Sequence, residues 1–515
     1  MEEFVRAHGG DIIGVLNGFD RLVLRGTIRR LVLVGGMASY LHAVGILLKD
    51  FGAFADEQTK RLRMASLEVA RHLERPIVYL SKPQISKEET ARAIAEDDGI
   101  TEGLICVLKA VESCLSFGIY RNRETKRLDL ETRKRQGLAL YHYWIDPTFG
   151  FMSARIQTWF PFGIQVCVNG REWLARQMDA RGLRYERRGN CFVWIGDVAA
   201  AQSLMADQLK IDWPSHLEVV ADRLNPARSK MLPPFFADYY WTVFQSEWAS
   251  DVMFRSPEAL AKIYRPLVRS SIAAFGSEDV MRFLGRKPHG HFAGEVISSY
   301  RSRREGIRIK HTVQGNSVKA YDKEGHILRI ETTINNARGF KVYRPKEGDR
   351  SGELDWRPMR KGIADLHRRA QVSQAANDRY AGALATVQIK RRLGEVADRI
   401  CSAVTWKGAR VRGLRPFSPE DHALFAAIAC GEFAVNGLRN RDLLVKLHPG
   451  EHTADDRRRL SSRMTRKLRL LRAHGIIKKV PRSHRYTVTR NGREILSAFL
   501  HAHEASVVDL VRMAA

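Results

Sequence analysis

The chain has 515 residues, with 85 Lys or Arg against 57 Asp or Glu and a formal net charge of +28. That excess points to a polyanionic partner, because each phosphate a basic side chain neutralises releases counterions. No apolar run reaches the ~18 residues that cross a bilayer, and MEEFVRAHGG lacks a signal-peptide pattern, so a cytoplasmic protein with no membrane partner is expected.

The pattern of elements predicts an α+β, multidomain chain with mixed or antiparallel sheets. Residues 1–215 form its first region. Ile12 to Leu16 and Arg21 to Thr27 read as strands joined by a turn at Asn17-Gly18. Met37 to Phe51 and Glu57 to His72 read as helices, and Ile77 to Leu80 as a strand. Ser86-Lys87-Glu88-Glu89 is a capping box that opens a helix ending at Gly99. From 104 to 195 the chain is mainly β: GLICVLKAVE, LALYHYWID, FMSARIQTWF and GIQVCVNG are strands, and a helix follows from Arg171 to Arg181. The aromatic clusters at 141–144, 159–162 and 239–241 fit core packing, with base stacking as the alternative. Arg155 and Gln157 share a strand face with Phe151 and Ser153 and are expected to project from it. The composition changes near 215, at Trp213-Pro214 and Asn225-Pro226.

Residues 216–400 form a central basic region. In FQSEWASDVMF, Glu247 and Asp251 are four apart and would share a face of a helix. With Glu295, Glu331 or Asp20 they would hold Mg²⁺ for phosphoryl transfer. No other cofactor is evident. Next, GIRIKHTVQGNSVKAYDKEGHILRIETTIN predicts three strands. A Lys323-Glu324-Gly325 loop places Val318, Ala320, Leu328 and Ile330 on an apolar face. Arg308, Lys310, Lys319, Tyr321, Arg329 and Glu331 then share the other, basic face. That face fits an ordinary solvated surface, a nucleic-acid platform, or a strand-cleaving site with Tyr321 as nucleophile. The stretch YDK followed by LRIE is faintly similar to replication initiators of phages and plasmids. That resemblance implies a two-histidine metal motif at His289 and His291, from which Gly290 departs. Met359 to Val404 reads as one long helix or a pair broken near Gly382.

A basic linker is expected at 401–416 and a separate domain at 417–515. Ser418-Pro419 starts a helix, and Arg439 to Leu447 is a second. Residues 457–490 then carry thirteen Lys or Arg and no acid. There Leu460, Met464, Leu468 and Leu471 mark one helical face, His474-Gly475 ends the helix, and a hairpin and a last helix follow. This order resembles a winged helix-turn-helix domain of the MarR type. The resemblance implies that Arg459, Arg463, Arg466 and Lys467 enter a DNA major groove, and that Arg482, His484 and Arg485 sit on the wing.

None of the six cysteines forms a C-x-x-C pair, which argues against a zinc ribbon. P-loop, Rossmann, zincin and nucleophile-elbow motifs are absent. The chain therefore reads as a nucleic-acid-binding protein of a mobile-element or replication type. DNA is the expected partner of its C-terminal domain, and DNA or RNA that of its basic body. A winged-helix transcriptional regulator and a metal-dependent nuclease or transposase-like enzyme are the alternatives. Three carboxylates meeting in a basic cleft would favour the enzyme.

Overall fold

The computed structural model describes residues 1–232, 238–286, 296–303, 306–346, 348–349, 351–387, 393–429, 433, 437–481 and 483–505. It is mixed α/β. The chain divides into two compact units. The first comprises Ile13–Phe254 and Arg329–Ala375, and the second Met1–Ile12, Arg255–Leu328 and Ala376–Ala515. Position 215, expected at a boundary, lies inside the helix Trp213–Leu224 of the first unit.

The sheet of the first unit contains β1 (Ile12–Thr27), β2 (Ile77–Tyr79), β3 (Gly103–Arg121), β4 (Leu128–Asp146), β5 (Gly150–Gln157), β6 (Ile164–Asn169), β9 (Tyr240–Phe254) and β13 (Ile327–Ile334). A separate hairpin pairs β7 (Tyr185–Arg188) with β8 (Cys191–Ile195). In the sheet the order runs β13-β9-β1-β6-β5-β4-β3-β2. β2 pairs parallel to β3, whereas β3–β4, β4–β5, β5–β6 and β1–β6 are antiparallel.

Two expectations for this unit change. Asn17-Gly18 is not a turn, and β1 runs straight through it. The side chain of Gln202 acts there as a ladder partner: its Oε1 accepts from the Asn17 N–H at 2.7 Å and its Nε2 donates to the Asn17 carbonyl at 3.0 Å. A Cβ on Gly18 would lie 2.3 Å from Met205, so glycine admits the helix Val198–Asp207 close to the strand. Second, FQSEWASDVMF is strand β9 rather than helix. Ala249 to Phe254 are all buried, and a run buried on both faces has no period to separate strand from helix.

Helices cover the sheet. Ser86 caps the helix Lys87–Asp97 as expected, its Oγ accepting from the Glu89 N–H at 3.2 Å. Ala91 and Ile94 of this helix pack with Leu108 and Tyr143. The helix Phe51–His72 places Ser66 Oγ 2.9 Å from His142 Nε2. Burial pushes the His142 imidazole down to about 4. The folded state therefore favours neutral His142, and its contribution is complete above the unfolded value near 6.5 and lost as pH falls towards 4. Urea unfolding of wild type should lose about 3 kcal/mol through this residue between those pH values. His142→Gln should show a correspondingly shallower pH dependence. Equal slopes in the two proteins would contradict the assignment.

In the second unit β10 (Val296–Arg303), β11 (Gly306–Val313) and β12 (Asn316–Lys323) form an antiparallel meander. Arg308 pairs with Tyr321 and Lys310 with Lys319, so these four share a face, while Ile309, Val318 and Ala320 are buried. Gly325 follows β12 with φ +73°, the left-handed geometry expected of that loop. The helix Leu366–Val387 continues through Gly382 without a break.

The expected linker is structured. β16 (Val404–Trp406) and β17 (Ala409–Val411) make a hairpin turning at Lys407-Gly408, both with positive φ. Ile400 and Leu414 on either side belong to one core with Leu424, Phe425, Leu443, Met464, Leu468 and Leu471. The helices Pro419–Ile428, Asn440–Leu447 and Ala454–Ala473 follow, then the hairpin β18 (Ile477–Lys479) with β19 (Tyr486–Val488), and the helix Arg490–Glu504. No helix among the described residues is long and apolar enough to cross a membrane.

Candidate functional site

Neighbouring strands β1, β9 and β13 bring three acids together. One carboxylate oxygen each from Asp20, Glu247 and Glu331 lies within 4.8 Å of the other two. Asp20 and Glu331 are buried and Glu247 is half-buried. Ligand oxygens on one ion lie at most twice the metal–oxygen distance apart, about 4.1 Å for Mg²⁺ and about 4.8 Å for Ca²⁺. The three acids thus span one coordination sphere with little rearrangement. Ionised carboxylates this close repel, and a divalent cation would remove that repulsion.

A buried ion network holds the cluster in place. Arg329 donates from Nε to Asp251 Oδ1 at 2.5 Å and from Nη2 to Asp251 Oδ2 at 2.8 Å. Its Nη1 donates to Asp20 Oδ1 at 3.0 Å and its Nη2 to the Asn190 carbonyl at 2.8 Å. Asn190 Nδ2 also donates to Asp20 Oδ1, at 2.8 Å. Arg171 reaches Asp251 from the other side, through Nε at 3.1 Å and Nη2 at 2.9 Å. Both arginines are fully buried.

This network corrects two expectations. Arg329 and Glu331 do not face solvent, for all eight residues of β13 are buried. Asp251 pairs with two arginines, and Glu247 is the acid of β9 that joins Glu331. On a strand, as on the expected helix, residues four apart share a face, but of these two acids only Glu247 belongs to the cluster. Arg171 and Asn190 escaped the sequence reading. One sign was available: Arg171 lies in the first turn of the helix Gly170–Asp179, where the helix dipole disfavours a cation unless a carboxylate compensates.

The other candidates are placed as follows. Tyr321 is half-buried on β12, with Lys319 Nζ 5.6 Å from its ring. Arg155 does not project freely, because its Nε donates to Glu112 Oε2 at 3.0 Å. Gln157 donates to the Leu115, Trp159 and Phe160 carbonyls. Tyr143, Trp144, Trp159, Phe160, Phe162, Tyr239 and Trp241 are core, as expected. His289, Gly290, His291, Glu295 and Arg482 lie outside the described residues.

On the helix Ala454–Ala473, Arg459, Arg463 and Arg466 are exposed. Lys467 is buried instead and pairs with Glu420 at 3.0 Å, so it is not a groove-facing cation. Arg463 also reaches Glu420, at 3.2 Å. His484 is exposed and Arg485 half-buried. Near the end of the helix, Arg469 and Arg472 approach the ring of Trp406 from the β16–β17 hairpin, at 5.9 and 5.0 Å.

Comparison with protein-family models, curated proteins and solved structures finds no match to this chain.

Proposed function

We propose that the protein cuts or rejoins nucleic-acid strands with a divalent metal held by Asp20, Glu247 and Glu331, and docks on duplex DNA through a C-terminal winged helix. The convergence of three carboxylates from three strands carries the enzymatic part. Carboxylates in such a set would hold Mg²⁺ or Mn²⁺, and the metal would polarise a phosphodiester and stabilise the charge that builds on it. Arg329, Asn190 and Asp251 keep Asp20 oriented. The net charge of +28 supports a polyanionic substrate.

The docking part is supported by the order helix, helix, basic helix, hairpin, helix and by the exposed Arg459 and Arg466. Arg459→Ala and Arg466→Ala should each weaken duplex binding, by about 1–3 kcal/mol where the side chain reads a guanine edge. Titrating the full chain against duplex at several salt concentrations checks this, and a flat salt dependence would remove the DNA reading. Strand cutting is tested by incubating the protein with Mg²⁺ or Mn²⁺ and end-labelled single-stranded, duplex or structured substrates. Cut product that disappears with EDTA is expected. If no substrate is cut, DNA docking alone would remain, as in a transcriptional regulator.

A further inference from the structure

Two arginine–aromatic pairs line one side of β9, where β1 and the short helix Arg29–Val32 reach it. The Arg29 guanidinium carbon lies 3.4 Å from the centre of the Tyr240 ring, and that of Arg25 lies 4.2 Å from the centre of Phe244. Arg21 comes next, four residues before Arg25, and lies within electrostatic reach of Glu247. Arg21 and Arg25, four apart on β1, are separated by about 13 Å, and Arg29 opens the helix that follows the strand. Both rings are exposed, Tyr240 at 37% and Phe244 at 44%.

The charge of Arg25 is poorly neutralised from within. Arg25 rests on Phe244 and, in the amide orientation that satisfies both groups, on Gln165. Neither partner is negative. Burial, followed by the nearby Arg155, works against the charge of Arg25, and an anion would offset both. Arg21 donates to Cys167 Sγ at 3.2 Å. That thiol, and beyond it the carboxylates of Glu247 and Glu88, favour the charge of Arg21.

Exposed rings beside guanidinium groups match what an unpaired polynucleotide strand presents, namely a phosphate chain and open base faces. Arginine planes stack on bases much as rings do. A duplex hides its base faces and offers these rings nothing. We propose that Arg21, Arg25, Arg29, Tyr240 and Phe244 form a track that binds a single-stranded polynucleotide. Binding along it does not rest on the cutting activity proposed for Asp20, Glu247 and Glu331.

The test uses the full chain in EDTA, with fluorescently labelled oligo-dT, oligo-rU and a duplex of equal length. Phe244→Ala and Arg25→Gln should each lower single-strand affinity by about 5- to 100-fold, the range found when one base-stacking residue is removed. Phe244→Tyr, which keeps a ring, should bind as wild type. Duplex affinity and thermal unfolding should be unchanged in all three variants. The stronger of the two wild-type single-strand affinities identifies DNA or RNA as the ligand. Wild-type single-strand affinity in both Phe244→Ala and Arg25→Gln would overturn the track. Failure of wild type to cut any substrate with metal present would instead overturn the acid-site reading.

Discussion

Arg329→Met should destabilise the first unit by about 3–5 kcal/mol, the usual cost of removing one partner from a buried ion pair. Arg329 is fully buried and joins Asp251, Asp20 and the Asn190 carbonyl. Without it, Asp251 retains Arg171, while Asp20 loses its guanidinium beside Glu247 and Glu331. The loss should therefore be largest without divalent metal and smaller with it, because a bound cation would replace part of the missing positive charge. Urea unfolding with EDTA and with excess Mn²⁺ measures both quantities. Arg329→Lys should also be destabilised, since an ammonium cannot make the two-pronged contact with Asp251. A change below 1 kcal/mol in Arg329→Met would show that the network holds nothing in place.

Glu331→Gln should abolish metal-dependent cutting, with a loss of at least about 100-fold expected when one group stabilising transition-state charge is removed. The substitution keeps the shape of the side chain and removes its charge. Tyr321→Phe separates two chemistries. If Tyr321 is the nucleophile, wild type should retain label on the protein after denaturation and Tyr321→Phe should not. If metal-activated water attacks, Tyr321→Phe should cut normally and no label should stay on the protein. The acid cluster needs no contribution from Tyr321 to hold a metal, so the second pattern is expected. Cutting undiminished in Glu331→Gln would move the site elsewhere.

The sequence made much of the C-terminal module legible, because each cue there is local. Ser418, the apolar face from Leu460 to Leu471, and Gly475 mark elements by cap, period and left-handed glycine, and no distant partner alters them. The linker was misread because Lys407-Gly408 serves equally in a coil or a hairpin turn. Only the packing of Ile400 and Leu414 against distant helices decides between them. β1 was misread for a related reason: Asn17-Gly18 signals a turn, yet Gln202, 185 residues away, completes its backbone pairing.

The acid cluster was legible in composition but not in arrangement. Asp20, Glu247 and Glu331 were all candidates, alongside Asp251 and Glu295. Choosing among them required the strand order β13-β9-β1, which joins distant parts of the chain. Only the folded chain shows that two buried arginines hold Asp251. Charge alone could not show this, since an arginine reads as a surface residue until a carboxylate is found beside it.

The central claim is that Asp20, Glu247 and Glu331 bind one divalent cation. Thermal unfolding of the full chain with EDTA, Mg²⁺, Mn²⁺ or Ca²⁺, compared between wild type and Glu247→Gln, tests it most directly. Glu247 is only half-buried, so its replacement should leave the fold intact. A cation at 100 times its dissociation constant stabilises the folded state by about 2.7 kcal/mol, and for a unit of this size that raises the transition by roughly 4–5 °C. Wild type should show that rise with at least one of the metals and Glu247→Gln should lose most of it. The same metal response in both proteins, or none in wild type, would contradict the account.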